Sequence, residues 1–305
     1  MLTRHARKGI TWIDLESPTR QELQDVVREF DIDTRIEEEI VSPTAYPLVV
    51  SSPRYLYLIL HFPTTDPRGG AKNQEIDFIV GKDFIITARY EVIDSMHNLH
   101  KVFEAEELLG LPEKHATAEG LLERILRHLY AALCEETEQI ARMLERVETD
   151  IFSGKERETV LNISKVSRIL LRFDTTLARH ADSLDMFLEE LAAPEFFGKD
   201  FKKHVAHIEA ERAHAAALVA SYRAVTNELR KTNDSLLSTK QNDIVTRLTI
   251  MAFAAFPLTV IAGIFGMNTE SIPLVESPYA FWYILGIMAV SVFLFVSYFR
   301  LRKWL

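Results

Sequence analysis

The sequence predicts an α+β domain, a sheet with packed helices, followed by a very long helix that continues into the first of two membrane-spanning helices. Three observations carry this. Short β-rich runs occur only in the first third of the 305 residues. Beyond about residue 116, Gly and Pro almost vanish from three long stretches. Near the C-terminus, 248–268 and 278–299 carry no charge over the roughly 20 residues that a bilayer core requires.

Residues 1–198 are read as an αβ domain that includes a long helical hairpin. Ile10–Leu15 and Tyr55–Phe62 are β-rich, and Ile76–Ala88 predicts two strands around Gly81-Lys82-Asp83. Ser17 followed by Pro18 reads as a cap and first turn, so a helix is expected to start there. Three long helices follow, with breaks at Phe152-Ser153-Gly154-Lys155 and at Ala193–Gly198, because Gly suits the left-handed residue that ends a helix. The third begins at 199 and lacks Gly and Pro as far as Phe256. At 1.5 Å per residue, a helix running from there through the first apolar segment is on the order of 100 Å long, so 199–247 reads as a stalk. Leu218, Tyr222, Val225, Leu229 and Leu236 make a stripe on it, suited to packing within the chain or against another copy.

The C-terminal part reads as a first spanning helix at 248–268, a loop at 269–277, a second spanning helix at 278–299 and a basic tail at 300–305. The net charge of −9 divides into +1 over 248–305 and −10 over 1–247. An acidic front without a Lys/Arg-rich run repels phosphates and argues against a nucleic-acid partner. Cys134 is the single cysteine and forms no intrachain disulfide, in keeping with a reducing compartment. The N-terminus lacks the apolar run of a signal peptide. Arg247 precedes the two spans and Arg300, Arg302 and Lys303 follow them, whereas the loop holds only Glu270 and Glu276. The positive-inside rule then places both termini in the cytoplasm, with the bilayer as a partner. Two helices do not enclose a pore, so conduction requires several copies.

At the outer end of the first span stand Gly266, Met267 and Asn268, followed by the short acidic loop, the second span and a tail ending Arg-Lys-Trp-Leu. This arrangement resembles the CorA family of magnesium transporters. Gln241-Asn242-Asp243, Leu248-Thr249-Ile250, Pro257-Leu258-Thr259 and Ile261–Asn268 agree with it, and Val147–Gly154 does so more loosely. The resemblance implies a homo-pentameric funnel in a plasma or inner membrane, with first spanning helices around the pore and second ones outside. It implies that Gly266, Met267 and Asn268 form the selectivity filter, Asn242 a polar position at the cytoplasmic end and Leu248 a hydrophobic constriction. Phe256 falls where a relative carries Met. The substrate so implied is Mg²⁺, with Co²⁺ and Ni²⁺, and Mg²⁺ is also a candidate regulator; no cofactor is expected.

The chemistry of these residues suits that reading. Mg²⁺ sheds water reluctantly, so carbonyl and amide oxygens recognise it through its hydration shell. Thr259, Gly263 and Asn268 are read along a similar side of the helix as Leu248 and Ala252, giving polar or small steps above an apolar ring that gates by dewetting. Glu270 and Glu276 raise the local cation concentration or are ordinary loop residues.

The stalk departs from the family's acidic pattern at Phe201–His207. His204, His207, Glu211 and His214 fall on one helical face, a set suited to Zn²⁺, Co²⁺ or Ni²⁺, or else a solvated face. Two alternatives stand beside Mg²⁺ transport: a zinc-transporting relative of the same fold, and a non-conducting membrane-anchored sensor or scaffold. No nucleophile, base and orienting group stands out by spacing, which argues against an enzyme.

Overall fold

The computed structural model of the protein describes residues 1–7, 9–44, 46–66, 70–109, 117–267 and 278–302. The chain divides into two compact units, Met1–Arg230 and Lys231–Leu305, so the division falls inside the segment read as a stalk.

The N-terminal unit is built on six strands: β1 (Leu2–Arg7), β2 (Ile10–Glu16), β3 (Leu48–Ser51), β4 (Tyr55–Thr65), β5 (Ala71–Gly81) and β6 (Phe84–Arg89). Their order is β1-β2-β6-β5-β4-β3, with β2 and β6 parallel and every other pair antiparallel. Side chains of β4 alternate between two cores. Tyr55, Tyr57 and Ile59 meet Leu23, Val26, Ile36 and Ile40 from helices α1 (Arg20–Glu29) and α2 (Thr34–Ile40). Leu56, Leu58 and Leu60 share the larger core with residues of α3 (Asp94–Leu108), α4 (Ala118–Phe152) and α5 (Glu156–Leu191). Because both faces are covered, β4 reads in sequence as one continuous apolar run.

The α1 start differs from its sequence reading. Thr19, not Ser17, is the N-cap, and it forms a reciprocal capping box with Glu22. Ser17 instead has φ 44 and donates its hydroxyl to the Tyr90 carbonyl at 2.7 Å; the residue before a proline is disfavoured in the right-handed helical region. The two edge strands, β1 and β3, had no distinct signal in the sequence.

The long helices end where the glycines stand. Gly154 has φ 76 after α4, and Gly198 has φ 75 before a 3-10 turn at Lys199–Phe201. Helix α6 then runs unbroken over 64 residues, Lys202–Phe265, with Pro257 inside it. Phe201, Ile208, Ala215 and Val219 are buried in the larger core, with Tyr222 and Leu229 packed against it. Two of the five stripe residues, Tyr222 and Leu229, are thus consumed within the chain, whereas Val225 stays 43% exposed.

The C-terminal unit holds the rest of α6 and helix α7 (Ala280–Leu301). Their most apolar windows are 6% and 0% buried, so neither segment is enclosed by the rest of the described chain. Such faces are stable only against something apolar, and a bilayer supplies it.

Candidate functional site

The residues read as pore-lining lie on the last seven turns of α6. With about 100° per residue, Leu248, Ala252, Phe256, Thr259 and Gly263 occupy an arc of about 80°, and Asn242 stands just beyond it, at about 120° from Leu248. Gly266 and Met267 follow in the turn after the last helical residue, Phe265. All eight are exposed, Leu248 at 59%, Phe256 at 68% and Met267 at 58%. The side chains that lose exposure on the same helix are Ile250, Ala254, Pro257, Leu258, Ile261 and Phe265. They fall about 180–280° from Leu248, on the opposite side. Helix α7 carries a matching half-buried stripe at Ile284, Met288, Val292, Phe295 and Phe299, spaced for packing of two helices within this unit. One face of α6 is therefore used inside the unit, and the face with the candidate residues is left open.

Three local features set the chemistry of the open face. Thr259 donates its hydroxyl to the Ala255 carbonyl at 3.1 Å, so its oxygen keeps lone pairs for a partner on the open side. A Cβ on Gly263 would meet nothing within 4 Å, whereas one on Gly266 would lie 2.8 Å from the Ala262 carbonyl oxygen. Gly266 is required by this close approach, which lets its N–H donate to Ala262 at 2.9 Å and turns the chain toward Met267. Below, the face is apolar at Leu248, Ala252 and Phe256. Asn268, Glu270 and Glu276 lie outside the described residues.

The residues of the histidine set are held by different partners. His204 donates from Nδ1 to Glu123 Oε2 at 2.5 Å and His207 from Nδ1 to Glu123 Oε1 at 2.9 Å. Glu211 accepts from Arg127 at 3.0 Å, and His214 is exposed. Among the described residues no group of three or more His, Cys, Asp or Glu is arranged to hold a metal. Helical spacing put His204, His207, Glu211 and His214 on one face, and α4 supplies partners that divide them, Glu123 for the two histidines and Arg127 for Glu211. Burial works to raise the Glu123 carboxyl, but the hydrogen bonds from His204 and His207 prevail and hold it below the usual carboxylate range. No sequence signal pointed to Glu123, which lies 81 residues from His204.

The N-terminal unit holds two further buried polar networks that spacing did not reveal. In one, Asp14 accepts from Arg89 Nε at 3.1 Å, from Thr87 Oγ1 at 2.6 Å and from His100 Nε2 at 2.9 Å. Burial opposes its charge, yet His100, Arg89 and Thr87 together keep the carboxyl below the usual range. The other, around Asp77, is treated below.

Comparison with known proteins bears on this geometry. The family described as CorA-like Mg²⁺ transporter protein matches residues 7–302. The chain is 24% identical over 297 residues to the cobalt/magnesium transport protein CorA of Thermotoga maritima, covering 97% of this chain and 83% of that one. It is 23% identical over 297 residues to the cobalt/magnesium transport protein CorA of Methanocaldococcus jannaschii, covering 97% and 92%. The complete structure of the CorA magnesium transporter from Methanocaldococcus jannaschii has the same fold, with a TM-score of 0.84, 21% identity, and 99% and 93% of the two chains covered.

Proposed function

Because this chain belongs to the CorA-like Mg²⁺ transporter family, we propose that it carries Mg²⁺, and with it Co²⁺ or Ni²⁺, inward through a homo-pentameric pore in the inner or plasma membrane. The open face of α6 carries this reading. A helix that packs on its partner with one side and leaves Leu248, Ala252, Phe256, Thr259, Gly263 and Gly266 exposed on the other is suited to a central bore shared by several copies. In this arrangement Leu248 supplies the apolar constriction. The Thr259 oxygen accepts from waters of the hydrated ion, and Gly266, Met267 and Asn268 form the mouth. Glu270 and Glu276 concentrate cations outside. Both termini face the cytoplasm, as the basic residues flanking the spans require. A divalent ion moving inward across 100 mV gains roughly 4.6 kcal/mol, twice the 2.3 of one elementary charge, so transport needs no nucleotide.

The curated relatives are named for cobalt and magnesium, which favours this cargo over zinc. The sensor or scaffold alternative gives no reason for a small and polar series along the open face. The test is Mg²⁺ influx into proteoliposomes holding the purified protein, with and without an inside-negative potential. Potential-driven influx that Asn268→Ala reduces more than tenfold is expected. A folded oligomer that passes none of Mg²⁺, Co²⁺ or Ni²⁺ contradicts the reading and points to the scaffold alternative.

A further inference from the structure

The corner where the sheet meets the C-terminus of α2 holds a carboxyl without a counter-ion. Asp77, on β5, is 1% exposed. Its Oδ2 lies 3.1 Å from the Tyr57 hydroxyl and 3.3 Å from the Tyr90 hydroxyl, while its Oδ1 is buried with no hydrogen-bond partner. No Lys, Arg or His bonds to it among the described residues. Glu75, two residues along the same face of the strand, is engaged by other groups. It accepts from the Thr44 N–H at 2.7 Å and from His61 Nε2 at 3.1 Å.

The hydrogens in this corner do not balance if both carboxyls are ionised. The Tyr90 hydroxyl stands 3.1 Å from the Ile40 carbonyl, at the end of α2, and 3.3 Å from Asp77 Oδ2. With the Glu39 carbonyl at 3.5 Å, one phenol hydrogen therefore faces three acceptors. A proton on Asp77 eases the conflict: the carboxylic acid donates to the Tyr90 oxygen, and the Tyr90 hydrogen is left to the Ile40 and Glu39 carbonyls at the end of α2. The same proton removes a buried, uncompensated negative charge beside a second carboxylate, an arrangement that costs several kcal/mol when left unmet.

We propose that Asp77 and Glu75 form a buried proton-binding site, occupied at neutral pH by one structural proton on Asp77, which closes the corner between the sheet and α2. Burial, and then the negative charge of Glu75, hold the Asp77 carboxyl well above the usual carboxylate range, against the pull of Tyr57 and Tyr90. The surrounding titratable groups are Glu75 on β5, Tyr57 and His61 on β4, Tyr90 beyond β6 and Glu39 on α2, with Arg179 of α5 acting on His61. The proton exchanges with bulk water through the wall where Tyr90, together with Ser17, Pro18, Leu23, Ile40 and the cationic Arg20, lines a cavity of about 250 Å³. The strained backbone of Ser17 sits at the rim of that cavity.

His61 ties the site to the far side of the sheet. Its ring reaches Glu75, while its backbone carbonyl accepts from His180 of α5 at 2.7 Å, and His180 in turn bonds Tyr130 of α4. The state of the proton is thereby linked through packed polar groups to both helical layers.

The test is infrared spectroscopy of the full-length protein in lipid with aspartate-selective isotope labelling. At about pH 7, far above the ordinary aspartate value near 3.9, a carboxylic-acid band from aspartate is expected; it vanishes in Asp77→Asn and persists in Glu75→Gln. A second readout is thermal stability against pH. A carboxyl raised in the folded state loses stability as pH climbs from the unfolded value toward the folded one, by up to about tenfold in the folded/unfolded ratio per pH unit. Asp77→Asn, which keeps the shape and donor of the protonated acid, is expected to remove that portion of the slope, leaving the part due to His61. Absence of an aspartic-acid band in the wild type at about pH 7 overturns the proposal whether or not the variant folds. So does a band that survives Asp77→Asn.

Discussion

The two compact units treat apolar surface in opposite ways. In the N-terminal unit Leu56, Leu58 and Leu60 are 0% exposed and their neighbours on the other face, Tyr57 and Ile59, are equally closed. In the C-terminal unit Phe256 is 68% exposed and Phe293 71%. A side chain of either kind stabilises a protein by up to about 1.5–3 kcal/mol when removed from water. The first unit collects that energy from its own chain. The second, apart from the stripe it buries within itself, leaves most of that energy to be collected from its surroundings. The same contrast holds for polar groups. Most of those buried in the N-terminal unit are bonded within it, Asp77 Oδ1 being an exception, whereas the Thr259 oxygen keeps acceptor capacity on an open face.

The largest effect expected from this contrast is on folding of the N-terminal unit. Leu58→Ala removes a fully closed side chain between sheet and helices and is expected to lower stability by about 2–5 kcal/mol. Phe256→Ala, on the open face, is expected to leave thermal stability within about 0.5 kcal/mol while changing ion flux. Denaturation of both variants, read beside influx, separates the two. A Phe256→Ala as destabilising as Leu58→Ala would mean that α6 packs there on its own chain.

A smaller effect is expected from the two glycines. Gly266→Ala drives a Cβ to 2.8 Å from a backbone oxygen and must move the helix end that positions Met267; influx is expected to fall at least tenfold with the oligomer intact. Gly263→Ala has open space before it and is expected to retain assembly and reduce flux only a few-fold. Equal losses would show that the end geometry of α6 is not what matters.

The last effect, confined to the N-terminal unit, concerns the tie between α4 and α6. The Glu123 carboxyl is lowered in the folded state, so its contribution is present above the unfolded value and is lost as pH falls through the folded value. Glu123→Gln is expected to cost about 1.5–3 kcal/mol near neutral pH, the range for a hydrogen bond to a charged group, and to remove that acid-side loss. Thermal unfolding of both proteins between about pH 3 and pH 7 provides the check.

How much of this was legible in the sequence follows from the same contrast. The membrane spans, the three long helices and the central strands announce themselves, because an uncharged run of 20 residues, an absence of Gly and Pro, and a β-rich segment are local properties. The α1 cap was misplaced by two residues because Ser17-Pro18 imitates the signal that Thr19-x-x-Glu22 supplies. The edge strands β1 and β3 are short and half-exposed, and only their partners define them. The open face of α6 was readable from its period, and its opposition to the packed face follows from where α7 leaves its shadow. Glu123, Asp14 and Asp77 were not readable. Their roles depend on contacts across 20 to 86 residues of sequence, which no spacing rule encodes. The same lack hid the partner of His204 and His207, a carboxylate on α4.

The most direct test of the central claim, that the open face of α6 lines an aqueous ion path, is thiol accessibility. In a Cys134→Ala background, Thr259→Cys and Ile261→Cys place a thiol on opposite faces of the helix. Reaction of Thr259→Cys with a charged, membrane-impermeant reagent, with loss of Mg²⁺ influx, and silence of Ile261→Cys is the expected result. Equal labelling of both, or labelling of Ile261→Cys alone, would contradict the account.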